Sequence, residues 1–163
     1  MSSPIRTSPI PAGRTWRRAD LADAALAARV LAVQHAAYAI EAELIGYPDL
    51  PPLHETLAGL QATAEEIWLC SDGDALVGVV GLEHGEDEMV IARLFVAPAY
   101  FRRGVGSALV AHALAQAAGR RVRVGTGARN APALALYERY GFRRLDERSP
   151  TPSRGYVELV REP

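Results

Sequence analysis

The chain's most informative residues for chemistry lie in one short turn, Pro98-Ala99-Tyr100-Phe101-Arg102-Arg103-Gly104-Val105-Gly106-Ser107-Ala108-Leu109. The β-forming run Leu94-Phe95-Val96 precedes it, and an apolar helical pattern begins at Gly104. A helix start leaves backbone N–H groups unpaired and carries the positive end of the helix dipole. Glycine at 104 and 106 lets that backbone approach a bulky anion such as pyrophosphate. Arg102 and Arg103 add donors that match phosphate oxygens, each charge-assisted bond contributing on the order of 1.5–3 kcal/mol. A plain helix start with solubilising arginines has the same composition, and two competing phosphate motifs are absent. A P-loop needs Gly-Lys-Ser or Gly-Lys-Thr, which does not occur. A dinucleotide fingerprint needs a small residue where Leu109 stands and an acid closing the next strand, which instead ends Gly125-Thr126-Gly127.

The turn resembles the acetyl-CoA signature of the GNAT superfamily of N-acetyltransferases: Gln or Arg, two variable residues, Gly, one variable residue, then Gly or Ala. Gly104 and Gly106 match, whereas Phe101 stands at the Gln/Arg position. A second segment, Asn130-Ala131-Pro132-Ala133-Leu134-Ala135-Leu136-Tyr137-Glu138-Arg139-Tyr140-Gly141-Phe142, is similar to the family's later motif: an Asn, then a helix carrying Tyr and ending in Gly-Phe. Two motifs in order are far more specific than one.

The resemblance implies acetyl-CoA as acyl donor, with no metal, and a primary amine of a small molecule or protein as acceptor. The loop from Phe101 through Arg102, Arg103, Gly104, Val105 and Gly106 to Ser107 would hold pyrophosphate, largely through backbone amides. The backbone of Leu94, Phe95 and Val96 would meet the pantetheine arm, where this strand splays from Val122–Gly125. Asn130 reads from its position as a helix N-cap and, by resemblance, also touches the cofactor. Tyr137 is the candidate general acid, because a phenol with pKa of about 10 keeps its proton at neutral pH. As an isolated tyrosine it would read as packing with Leu136 and Tyr140; the motif around it changes that reading. For the general base, the turn carries Glu83, His84, Glu86 and Glu88; the resemblance implies an acid in this region, with Glu83 as the choice. The acceptor site, again by resemblance, involves the first helices, which supply Tyr38, Glu41, Glu43, Tyr47, His54 and Glu55. Acids there suit a cationic amine.

These groups need elements to hold them. Thr15–Arg18 reads as a short strand. From Asp20 the apolar positions Leu21, Ala25, Ala28, Leu31, Val33 and Ala37 suit a helix. Gly46, Pro48, Pro51 and Pro52 break it, before a short helix over Leu53–Ala62. The β-rich runs Ile67–Cys70, Ala75–Leu82 and Met89–Val96, separated by turns at 71–74 and 85–87, predict an antiparallel meander. A helix from Gly104 to about Ala118, a strand over Arg121–Gly125, a helix over Pro132–Tyr140, and closing strands at Phe142–Leu145 and Tyr156–Val160 complete the reading. The fold class is α/β (α+β): one GNAT-like domain with a central mixed, mostly antiparallel sheet flanked by helices. It occupies residues 15–163, behind a loose Ser- and Pro-rich tail over 1–14.

Composition narrows the alternatives. A chain of 163 residues with 49% hydrophobic and 23% charged residues suits one globular core. Net charge of −1 provides no bulk field for nucleic acid or an anionic membrane. The opening has no apolar signal region, and the Ala-rich stretch 19–42 is interrupted by charges, so cytoplasmic localisation is expected. The one cysteine, Cys70, lies in an apolar run and reads as a small core residue. No His/Cys/acid spacing suggests a metal. An exposed strand or the C-terminal segment is compatible with a homodimer. The alternative to an enzyme is a non-catalytic acyl-CoA-binding module of the same fold.

Overall fold

A computed structural model describes residues 14–145 and 155–163. Seven strands form one sheet in the order β1-β2-β3-β4-β5-β7-β6. They are β1 (Arg14–Arg18), β2 (Glu66–Asp72), β3 (Ala75–His84), β4 (Glu88–Val96), β5 (Arg121–Gly127), β6 (Arg143–Arg144) and β7 (Tyr156–Arg161). All neighbouring pairs are antiparallel except β4 and β5, which are parallel. Parallel strands need a crossover, and α3 (Val105–Gln116) supplies it. The expected mixed, mostly antiparallel sheet is therefore the one observed. The proposed tail falls on residues outside the described ones, apart from Arg14, which already belongs to β1.

Helices cover both faces. On one, α3 and α4 (Ala131–Arg139) pack on Val77, Val80, Val122, Val124 and Leu159. On the other, α1 (Ala24–Ile45) and the short α2 (Leu57–Gln61) cover Ile67, Leu69, Val79 and Phe95. The α1 helix starts at Ala24, later than the expected Asp20, because the Asp23 carboxylate accepts from the Ala25 and Leu26 amides at 3.1 and 3.2 Å. Its buried face runs Leu26, Ala27, Val30, Gln34, Ala37, while Ala25 and Ala28 are exposed. The apolar side is thus rotated from the one read in the sequence. The expected helix over Leu53–Ala62 is divided: a 3-10 turn at Pro51–His54, then α2 capped by the Thr56 hydroxyl.

Cys70 is buried in the core, and its thiol is pushed up by burial. His112 stacks on Trp16, with ring centroids 4.2 Å apart, and meets the edge of Trp68. Burial lowers its pKa, which suits a neutral packing residue. The last expected pair of strands is short on one side: β6 contains two residues, at the sheet edge against β7.

Candidate active site

The parallel ladder between β4 and β5 runs from Glu88↔Arg121 to Ile91↔Val124 and stops. Both strands continue. β4 follows β3 to Val96, and β5 follows β7 to Gly127. The parting coincides with a bulge: Leu82 faces Ile91 and Gly81 faces Arg93, leaving Ala92 as the extra residue. A bulge bends its strand and increases local twist, which turns β4 away from β5. Between residues 92 and 96 the β5-facing edge of β4 therefore has no strand partner.

A cleft of about 160 Å³ fills this opening and reaches both faces of the sheet. From the α4 side it is lined by Tyr137, Leu136, Ala133 and Asn130, and from the α1 side by Tyr38 and Glu41. Tyr137 is only 4% exposed, pinned by the edge of Phe142 with centroids 5.5 Å apart. Its hydroxyl has no hydrogen-bond partner among the described residues and borders the cleft. Thr126, 5% exposed, lines the same space.

Electrostatics separate the two key groups. Burial, reinforced by the Glu41 carboxylate, pushes the Tyr137 phenol far above its ordinary value, so it holds its proton throughout the physiological range. Burial also raises the pKa of Glu41, and the hydrogen bond from Asn130 Nδ2 to Glu41 Oε1 at 3.0 Å offsets only part of that. Tyr38 and Tyr156 are likewise raised, first by burial and then by Glu41. One carboxylate thus stands among three phenols that stay protonated. Asn130 fixes it from α4: its Oδ1 accepts from the Ala133 amide at 3.2 Å, capping the helix.

Next to the cleft lies the start of α3. Gly104 sits at φ +79°, a left-handed conformation that also holds Arg102 at φ +61°. No side chain caps this helix, and its first internal bond is from the Ala108 amide to the Gly104 carbonyl. The amides of Val105, Gly106 and Ser107 precede that bond and point out of the helix start. Arg14 Nη2 donates to the Arg103 carbonyl at 2.8 Å, and the Arg103 guanidinium lies over the Tyr100 ring at 5.3 Å. The Tyr140 hydroxyl donates to the Ser107 carbonyl at 3.1 Å, tying α4 to the first turn of α3.

Most residues singled out in the sequence gather here. Leu94 and Val96 are half-buried on the α3/α4 face, whereas the Phe95 side chain is buried under α1 and packs on Tyr38. Val105 is buried in the core, and Phe101, Arg102 and Arg103 are exposed around the helix start. Glu83 does not join them. It is exposed at the end of β3, opposite Val90, where β4 and β5 are still paired, and it does not line the cleft. Glu41 occupies the cleft instead.

One cluster went unread in the sequence. Arg93, in the middle of an apolar strand, donates to Glu65 through Nε and Nη2 at 2.8 and 2.7 Å. Its Nη1 donates to Glu55 at 2.6 Å and to Gln34 at 2.7 Å. Burial would raise Glu55, but hydrogen bonds from Arg93 and Gln34 outweigh it and hold the carboxyl below its ordinary value. A lone arginine in the run Ile91–Val96 was the available signal.

The acetyltransferase (GNAT) family model matches residues 31–142, which span the strand opening, the α3 turn and α4. The chain belongs to the GNAT acetyltransferase family. Solved structures share the GNAT fold: PaiA N-acetyltransferase of Thermoplasma acidophilum in complex with coenzyme A superposes with a TM-score of 0.74 at 14% identity, covering 92% of this chain and 99% of that one. An acetyltransferase of Thermus thermophilus gives 0.69 at 22% identity, covering 91% and 96%. A curated relative, UPF0157 protein YqkA of Bacillus subtilis, is 34% identical over 125 residues, 76% of this chain. The chain spans only 36% of that protein's length. No helix among the described residues is long and apolar enough to cross a membrane.

Proposed function

We propose that this GNAT protein transfers an acetyl group from acetyl-CoA to a primary amine by direct attack on the thioester. The observation that carries the reading is the opening between β4 and β5, where Tyr137 from one face of the sheet and Glu41 from the other line one cleft.

The chain has the groups that such a donor needs. Uncapped amides at Val105, Gly106 and Ser107, beside Arg102 and Arg103, suit a diphosphate. The unpaired edge of β4 at Leu94 to Val96 suits an extended arm rich in amide groups. Acetyl-CoA supplies the activated acetyl group as a thioester. Glu41 holds the incoming ammonium, takes one of its protons and passes it to water, which frees the nitrogen lone pair for attack; its raised pKa makes it a better proton acceptor than an ordinary carboxylate. The amine nitrogen forms its bond to the acetyl carbon as the carbon–sulfur bond breaks. The proton lost by nitrogen goes to Glu41 Oε, and the Tyr137 hydroxyl gives its proton to the departing sulfur. Water then restores both groups. Asn130 positions Glu41, and the α4 helix orients Tyr137.

Acetyl-CoA and CoA should raise the melting temperature by preferential binding to the folded state, and NAD should not. An unchanged melting curve at saturating acetyl-CoA would contradict this reading.

A further inference from the structure

The cleft continues into a second cavity of about 190 Å³, and the two share Tyr38, Pro52, Ala92 and Arg93. Across both, the lining residues with charge are Glu41, Glu55 and Arg93. Among the described residues Arg93 is the one cation in this lining, and its hydrogens are committed. Its five N–H groups go to Glu65 Oε1 and Oε2, Glu55 Oε1, Gln34 Oε1 and, at 3.5 Å, Glu55 Oε2. Gln34 is 1% exposed and equally committed, with Nε2 donating to the Pro52 carbonyl and to Glu55 Oε1.

Among the described residues the side-chain guanidinium and amide hydrogens of the outer cavity are all committed, which leaves the Tyr38 hydroxyl as its free side-chain donor, while Glu55 Oε2, whose one contact is the long one to Arg93, retains accepting capacity. With both carboxylates of the ion cluster ionised, two negative charges face one positive charge. Glu41 adds a further acid at the inner end, where the unpartnered hydroxyl of the nine-tenths-buried Tyr137 marks the position of the reacting group. A ligand running from the inner to the outer cavity would therefore meet acid at both ends. A carboxylate on that ligand would meet phenol hydroxyls but no uncommitted cation among the described residues, and would be repelled by Glu41 and Glu55, which makes its loss of water costly.

We propose that the acceptor is a diamine-type molecule, whose reacting amine sits between Glu41 and Tyr137 and whose second cation lies against Glu55 in the outer cavity. This rests on the acetyl-transfer reading above and adds the substrate class. The tyrosine ring of Tyr38, which borders both cavities, gives the connecting methylenes an apolar surface.

Thiol release from acetyl-CoA by the full chain should be compared for diaminobutane, butylamine and γ-aminobutyrate. The expected order of kcat/KM is diaminobutane, then butylamine, then γ-aminobutyrate, with at least about fivefold between the first two from one partly exposed charge pair. Glu55→Gln removes the outer charge, and should bring the diaminobutane-to-butylamine ratio close to one. Because that ratio is taken within one preparation, partial loss of folded protein does not affect it. Butylamine matching diaminobutane in the wild-type chain, or an unchanged ratio in Glu55→Gln, would overturn the proposal and leave acetyl transfer standing. No thiol release with any of the three, or with a wider amine panel, would overturn both.

Discussion

Asn130 bonds to Glu41 across the opening in the sheet, donating from Nδ2 to Oε1 at 3.0 Å while its Oδ1 caps α4. The amide has a fixed orientation, because a cap needs the oxygen toward the helix and leaves the NH₂ group for the carboxylate. The helix that carries Tyr137 thus also aims Glu41. Asn130→Ala should remove both effects. We expect a loss of roughly 0.5–2 kcal/mol in stability from the cap, together with a fall in kcat that Asn130→Asp, which can cap but repels Glu41, does not rescue. Urea denaturation and initial rates on the same variants check this. Rescue of kcat by Asp would reduce Asn130 to a cap.

Glu41→Gln retains an oxygen for Asn130 and removes the charge. If Glu41 takes the proton, kcat should fall on the order of 10²-fold. The acid limb of the wild-type rate profile, set above the ordinary carboxylate value of about 4.3, should disappear. The stability effect has a definite sign. A carboxyl with raised folded pKa binds its proton more tightly when folded, so stability falls as pH rises from the unfolded value through the folded one. Glu41→Gln should lose that fall, and at neutral pH should be no less stable than wild type. Denaturation midpoints at acid and neutral pH measure it.

Arg93 holds α1, the Pro52 turn and the start of β2 to the point where β4 leaves β5. Arg93→Met strands Glu65, whose side chain is 10% exposed, without its partner. Breaking a buried pair from one side costs about 3–5 kcal/mol, and Arg93→Lys should recover only part, because an ammonium cannot form the paired bonds to Glu65. The same network makes a pH prediction. Glu55 is lowered in the fold, so its contribution is present above the unfolded carboxylate pKa and lost as pH falls through the folded one. Equal melting temperatures for wild type and Arg93→Met would contradict this.

At the α3 turn the two glycines should behave differently. A side chain at Gly104 meets open space but must adopt φ +79°, a strain of roughly 1–2 kcal/mol for Ala. A Cβ at Gly106 lies 3.3 Å from Leu136 Cδ2, in the wall of the cleft. Gly106→Val should therefore weaken acetyl-CoA binding more than Gly104→Ala at matched stability, as direct titration would show.

The sequence made the donor side legible because its parts are local: strand, glycine turn and helix start lie between Leu94 and Leu109. Tyr137 was legible for the same reason, inside one short helix. Glu41 could not be separated from Glu43 or Glu83, since the choice depends on which side of an alanine-rich helix faces the sheet. The many alanines in α1 gave little contrast between faces, and its buried row includes the polar Gln34. The Arg93 cluster joins residues 28, 38 and 59 positions apart, a closure that no local pattern encodes.

The most direct measurement is single-turnover acetyl transfer by wild type and Tyr137→Phe, with acetyl-CoA binding titrated in parallel. Phe keeps the ring and its contact with Phe142, and the lost hydroxyl has no bond within the described protein, so folding and binding should change little. Wild type should release thiol only when an amine is present, and Tyr137→Phe should do so roughly 10²-fold more slowly. Thiol release independent of amine, or an unchanged single-turnover rate in a folded Tyr137→Phe, would contradict acetyl transfer through this opening.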